Sequence, residues 1–153
     1  MVENQYNYYF SLIGGIFLLI SGFFDLVDGS VARLTNRTSK KGSFLDSTYD
    51  KLSESVVYIG IVAGTLANPI TCVIAVSLSL LVSYVRARSE SLGISLQGIG
   101  IGERAERLLL LAVIGMIPVQ GSSQWAVIVV SIAAGFTLVQ RVLETNKQLS
   151  STT

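Results

Sequence analysis

Histidine is absent from this chain of 153 residues, and there is a single cysteine, Cys72. Without histidine there is no imidazole metal site, no imidazole general base and no Ser-His-Asp triad. One cysteine permits no disulfide within the chain, and a lone thiol inside an apolar run behaves as a small hydrophobe. Charge is scarce too: Asp, Glu, Lys and Arg together make 14% of the residues and leave a net charge of +1. A balance so close to zero argues neither for nor against nucleic acid. What remains is oily, with half of the residues hydrophobic, well away from an average soluble domain.

The apolar residues gather in five runs: Tyr8 to Val27, Ser53 to Ala67, Ile70 to Val85, Leu108 to Val119 and Trp125 to Val139. A membrane span needs about 20 mostly apolar residues, and several runs reach that length only with their polar ends included. A soluble helical bundle would show polar stripes at helical period. Thr71 to Val85 and Ala126 to Val139 show almost none. The expectation is an all-α polytopic transmembrane bundle of five helices, forming one domain over residues 1–153. The first run has no basic leader and is not read as a signal peptide. Tyr6, Tyr8, Tyr9, Phe10 and Trp125 fall where an interfacial aromatic belt would lie.

The eleven cations fall in three clusters, after the first run, between the third and fourth, and after the fifth. The links around Asn68 to Pro69 and Gln120 to Gln124 contain none. Helices alternate direction, so every cation lands on one side, and the positive-inside rule makes that side cytoplasmic.

Against this background four aspartates stand out: Asp25, Asp28, Asp46 and Asp50. The stretch reads D-x-x-D-G-x-x-A-R, eight residues, then G-x-x-x-D-x-x-x-D. Residues three or four apart share a helix face. A polar segment, Leu34 to Lys41, separates the two pairs and can turn the chain back, so that the acidic faces meet. Converging carboxylates repel unless something positive sits among them, and hard divalent cations with oxygen ligands suit that place. Gly29 and Ala32 are small and allow a helix or ligand to approach the backbone.

A second constellation runs from Ser83 to Ser91 (SYVRARSES) and from Gly102 to Leu108 (GERAERL). Taken alone, it is a positive-inside loop whose charges pair locally, Glu103 with Arg107 at helical spacing. The glycines at 98, 100 and 102 follow no strand and have the wrong register for a dinucleotide fingerprint. They read as a flexible connection.

The stretch from Asp25 to Asp50 resembles the signature of the CDP-alcohol phosphotransferases at all eight of its specified positions. The resemblance implies that Asp25, Asp28, Asp46 and Asp50 hold two metal ions, Mg2+ or alternatively Mn2+, and that Asp50 is also the base facing the acceptor alcohol. Gly29, Arg33 and Ser39 would contact the CDP part of the lipid donor. The full family fold has six helices, so the chain is expected to lack a counterpart of the family's first transmembrane helix. The segments SYVRARSES and GERAERL resemble the branch that uses inositol 1-phosphate, the archaetidylinositol phosphate and phosphatidylinositol phosphate synthases. In that branch a basic pocket for the acceptor phosphate maps onto Arg86, Arg104 and Arg141.

The implied activity is transfer of a phosphatidyl-type group, archaetidyl or diacyl, from a CDP-activated lipid to the hydroxyl of inositol 1-phosphate, with release of CMP. The implied setting is the cell membrane, with the active site on the cytoplasmic side, membrane lipid around a homodimer, and no nucleic acid. Glycerol 3-phosphate is the alternative acceptor. Two readings lie outside this chemistry. One is a non-catalytic fragment that binds lipid headgroups. The other is a cation transporter, which would spread its carboxylates along a conduit rather than gather them at one end.

Overall fold

The computed structural model describes residues 2–34, 39–96 and 98–152, without the side chains of residues 2–6, 28–30, 32–34 and 152. Five helices follow one another: α1 (Val2–Leu34), α2 (Lys40–Ala63), α3 (Pro69–Ser91), α4 (Arg104–Gly115) and α5 (Ser122–Thr152). Among the described residues there is no strand, so the all-α expectation holds.

Local chemistry sets the helix starts. Ser39 opens α2, its hydroxyl accepting from the Gly42 N–H at 2.9 Å. Asn68 opens α3 in the same way toward Ile70, and Pro69 occupies the first turn, where a missing N–H costs nothing. Glu103 opens α4, and the Glu106 carboxylate reaches back to accept from the Glu103 N–H at 3.0 Å.

The bundle is organised around α5, which packs on α3 and α4; α1 lies on α4, and α2 on α3. Cys72, Ala75, Leu111, Val127 and Val130 form the core with Tyr58 of α2. Ala75, Ala126 and Ala134 are fully or almost fully buried, and such small side chains let helix backbones come close, as membrane helices require. Outward, Phe17, Phe24, Ile59, Ile70 and Ile132 are exposed, which suits a hydrocarbon surround. Trp125 and Tyr9, assigned to an aromatic belt, are exposed as well.

Five helices were expected to cross the membrane. Three of them, α1, α3 and α5, are long and apolar enough to do so. The other two fall short for different reasons. With 12 residues, α4 is about 18 Å long at 1.5 Å per residue, against a hydrocarbon core of about 30 Å. It stops where the chain enters the turn around Pro118. In α2 the first half carries Lys40, Lys41, Asp46, Asp50 and Lys51, so its apolar part starts only at Ser53, and Glu54 lies within it.

Helices consecutive in the chain run in opposite directions, while α3 and α5 run parallel, Asn68 meeting Gln124 at one end and Ser89 meeting Thr145 at the other. At one end the Ser11 and Ser123 hydroxyls meet at 2.7 Å, and the Asn68 N–H donates to Gln124 Oε1 at 2.6 Å. At the other end lie Asp25, Asp50, Arg86, Arg104 and Arg141. The connection from Leu92 to Glu103, expected to be loose, is packed. Leu96 is fully buried, and the Gly102 N–H donates to Thr137 Oγ1 of α5 at 2.9 Å. Gly100 has φ 108°, a conformation that favours glycine, and a Cβ there would collide with the Thr137 side chain.

Candidate active site

Asp25 near the end of α1 meets Asp46 and Asp50 of α2. One carboxylate oxygen from each lies within 4.8 Å of the others. On α2 the two acids stand four residues apart and therefore share a face. Yet among the described residues α1 and α2 touch little, and α1 packs on α4. The joining element is Arg104, the first residue of α4. Its Nη1 lies 3.0 Å from Asp25 Oδ2 and 2.6 Å from Asp50 Oδ1, and its Nη2 donates to Ser53 Oγ at 3.1 Å. Arg104 Nε is buried and has no acceptor.

A cavity of about 530 Å³ opens beside this cluster, lined by Asp25, Asp50, Lys51, Arg86, Arg104 and Arg141 among others. Acidic and basic groups predicted from separate stretches of sequence therefore share one chamber. In the polar half of α2, outside its apolar stretch, burial pushes the Asp50 carboxyl above its ordinary range. Arg104 opposes that rise, and Asp25 and Asp46 add to it. Burial lowers the Lys51 ammonium from its ordinary range, against the pull of Glu54.

The three predicted arginines are held differently. Arg86 is partly exposed, with Nε 3.0 Å from Glu90 and Nη1 3.6 Å from Glu103. Arg104 sits within the acidic cluster. Arg141 is buried, its Nε donating to the Ile99 carbonyl at 2.9 Å and its Nη1 to the Val82 carbonyl at 3.1 Å. Its Nη2 stands 3.5 Å from Glu103. Two of its three nitrogens thus serve the backbone of α3 and of the connection into α4.

Asp28, Gly29 and Arg33 fall on α1, but their side chains lie outside the described residues. Ser39 is exposed, its hydroxyl engaged as the cap of α2.

Glu103 and Arg107 were expected to pair within one helix, and they do not. Glu103, at the cap of α4, turns to Arg86 and Arg141. Arg107 instead crosses to α2, where its Nε and Nη2 engage both oxygens of Glu54 at 2.8 and 2.9 Å. Both residues are buried. Sequence reasoning missed Glu54, Lys51 and Ser53. For Glu54 a signal was available: it extends the four-residue spacing of Asp46 and Asp50 into an apolar run, where a carboxylate needs a partner.

The sequence pattern described as CDP-alcohol phosphatidyltransferase matches residues 5–139. The archaetidylinositol phosphate synthase of Methanothermobacter thermautotrophicus is 44% identical over 137 residues, covering 87% of this chain and 70% of that protein. That of Pyrococcus horikoshii is 36% identical over 147 residues, covering 95% and 77%. The phosphatidylinositol phosphate synthase of Streptomyces avermitilis is 33% identical over 150 residues, covering 88% and 62%. Two solved structures of Mycobacterium tuberculosis phosphatidylinositol phosphate synthase, one with CDP-DAG bound and one in complex with manganese and citrate, are similar in fold. Both give a TM-score of 0.67 at 25% identity and cover 94% of this chain, and 84% and 80% of theirs.

Proposed function

Because this chain belongs to the CDP-alcohol phosphatidyltransferase family, we propose that it transfers a phosphatidyl-type group from a CDP-activated lipid to the hydroxyl of inositol 1-phosphate, releasing CMP. The observation that carries this reading is the meeting of Asp25 and Asp50, which Asp46 joins in one acidic cluster, with Arg86 and Arg104 around one cavity. Acidic groups alone would suit a cation and basic groups alone an anion. A transferase joining a metal-bound pyrophosphate to a phosphorylated alcohol needs both, side by side.

The donor set fits a divalent cation. It offers carboxylate oxygens only, close enough together to surround one ion, and hard cations prefer such ligands. We assign Asp25, Asp46 and Asp50, together with Asp28, to two Mg2+ ions, with Mn2+ as a substitute. When bound, such ions supply charge neutralisation for the donor's pyrophosphate and the departing CMP. The chain's own residues do the rest. Asp50 faces the cavity and is placed to take the proton of the acceptor hydroxyl. The hydroxyl oxygen forms its bond to the phosphorus next to the lipid alcohol as the bond from that phosphorus to the CMP oxygen breaks. Arg86 and Arg104 hold the acceptor's phosphate, for which the guanidinium fork is well shaped. Gly29, Arg33 and Ser39 we assign to the CDP moiety, and Arg141 to the far wall of the acceptor pocket.

The protein is a membrane protein, and we place its active site on the cytoplasmic side of the cell membrane, where the cations gather. A homodimer set in membrane lipid accords with the exposed apolar faces of α1, α3 and α5. The test is CMP release by purified protein from a CDP-lipid, with inositol 1-phosphate and glycerol 3-phosphate offered separately. Turnover should need inositol 1-phosphate and stop with chelator. Turnover with glycerol 3-phosphate alone would reassign the acceptor, and turnover indifferent to chelator would remove the metal.

A further inference from the structure

Beside the proposed site lies a second ion pair that its chemistry does not use. Glu54 stands one helical turn beyond Asp50 on α2, and Arg107 stands one turn beyond Arg104 on α4. The outer pair, Asp50 with Arg104 at 2.6 Å, is partly exposed, with 25% and 18% of the side chains accessible. The inner pair, Glu54 with Arg107, is buried at 0% and 2% and joined through both oxygens. Arg107 Nη1 also donates to the Gly102 carbonyl, and the Gly102 N–H donates to Thr137 of α5. A continuous chain of hydrogen bonds therefore runs from α2 through α4 and the incoming connection to α5.

This chain lies where the helix packing is weak. The main packing of α2 is on α3 and that of α4 is on α5, while α2 and α4 come close at few points. Their relative height is thus left to side chains. A bidentate guanidinium–carboxylate pair fixes distance and orientation together. It is rooted in α5 through Gly102 and so refers the α2 face that bears Asp50 to the frame of the bundle.

We propose that Glu54 and Arg107 are positioning residues: their buried pair sets the height and rotation of α2 against α4 and thereby places Asp50 and Arg104 for the reaction. The inference rests on the function proposed above. Stability alone does not require such a pair. Removing one buried partner is damaging because the other charge is stranded, but replacing both by apolar residues of similar volume is often neutral or stabilising. That difference separates a positioning role from a structural one.

The experiment compares wild type, the double variant Glu54→Leu/Arg107→Leu and the single variant Arg107→Lys. The lysine keeps the charge but loses the fork and the second bond to Gly102. Three quantities are read: thermal stability, CMP-release kinetics, and the α2–α4 distance between spin labels at the exposed positions Thr48 and Leu109. The expected double variant is at least as heat-stable as wild type and has a shifted or broadened label distance. Its kcat falls about ten- to a hundredfold, as small misplacements of reacting groups do, and its acceptor KM rises while its CDP-lipid KM holds. Arg107→Lys moves kcat and distance in the same direction by less. Should the double variant not fold, Arg107→Lys carries the test. Wild-type kinetics and distance in whichever variant folds would overturn the proposal. A shifted distance in a variant, where the wild-type protein itself releases no CMP, would uphold the clamp and overturn the proposed function instead.

Discussion

At the scale of single residues, the site is a crowd of carboxylates held by one guanidinium. Arg104 touches Asp25, Asp50 and Ser53 at once, so it joins the acidic side of the cavity to the side proposed for the acceptor. Asp50→Asn keeps the shape and one acceptor oxygen but removes the proposed base. CMP release should fall by about 10²–10⁴-fold, the usual worth of a general base, while the protein elutes as folded material. Retained turnover would take Asp50 out of the chemistry. Arg104→Ala should raise the acceptor KM about tenfold or more, since a hydrogen bond to a charged group contributes about 1.5–3 kcal/mol. An unchanged acceptor KM would mean that another group reads the phosphate. Asp25, Asp46 and Asp50 were legible in sequence because their spacing is helical. The grip of Arg104 on Asp25 and Asp50 was not, because it spans 79 residues to Asp25 and no local pattern records that. Glu54 was hidden for a related reason: a charge inside an apolar run reveals that it needs a partner, not which one.

At the scale of elements, the connection into α4 decides where Arg104 sits. Hydropathy identified five helical regions correctly but not the short length of α4, because an apolar run does not show where the helix inside it stops. The run Leu108 to Val119 is interrupted by the turn that begins at Met116 and contains Pro118. The glycines before α4 were legible as breakers. Their packing against Thr137 was not, because it depends on α5 arriving from more than 30 residues away. Gly100 combines a left-handed backbone with contact to Thr137. Gly100→Ala should therefore cost about 1–3 kcal/mol of backbone strain, besides the displacement of Thr137. The melting midpoint of the purified protein should drop by several degrees, at about 2–4 °C per kcal/mol for a chain of this size. Activity measured well below that midpoint should fall as well, because Gly102 and Arg104 follow within four residues. A Gly100→Ala protein with the wild-type midpoint would show that the connection is not held as the structure has it.

At the scale of the whole molecule, polarity along the bundle axis is the organising fact. One end carries hydroxyl and amide contacts, Ser11 with Ser123 and Asn68 with Gln124. The other carries the ion pairs and the cavity. In a bilayer this asymmetry gives the expected orientation, with the basic end cytoplasmic by the positive-inside rule. Hydropathy and cation placement alone were enough to read it, since it depends on which links carry charge and not on how the helices pack. The structure makes it testable with the protein's own chemistry. The sole native thiol, Cys72, is buried and gives little background toward a bulky reagent. A cysteine placed at Gln120, exposed in the turn before α5, should react with a membrane-impermeant maleimide in intact cells. A cysteine placed at Lys147, exposed near the end of α5, should react only after the membrane is opened. α5 runs between the two positions and is long and apolar enough to cross, so opposite labelling follows if it spans in the direction read here. Labelling of Lys147→Cys in intact cells, with Gln120→Cys silent, would put the aspartate cavity outside and separate it from any cytoplasmic supply of CDP-lipid.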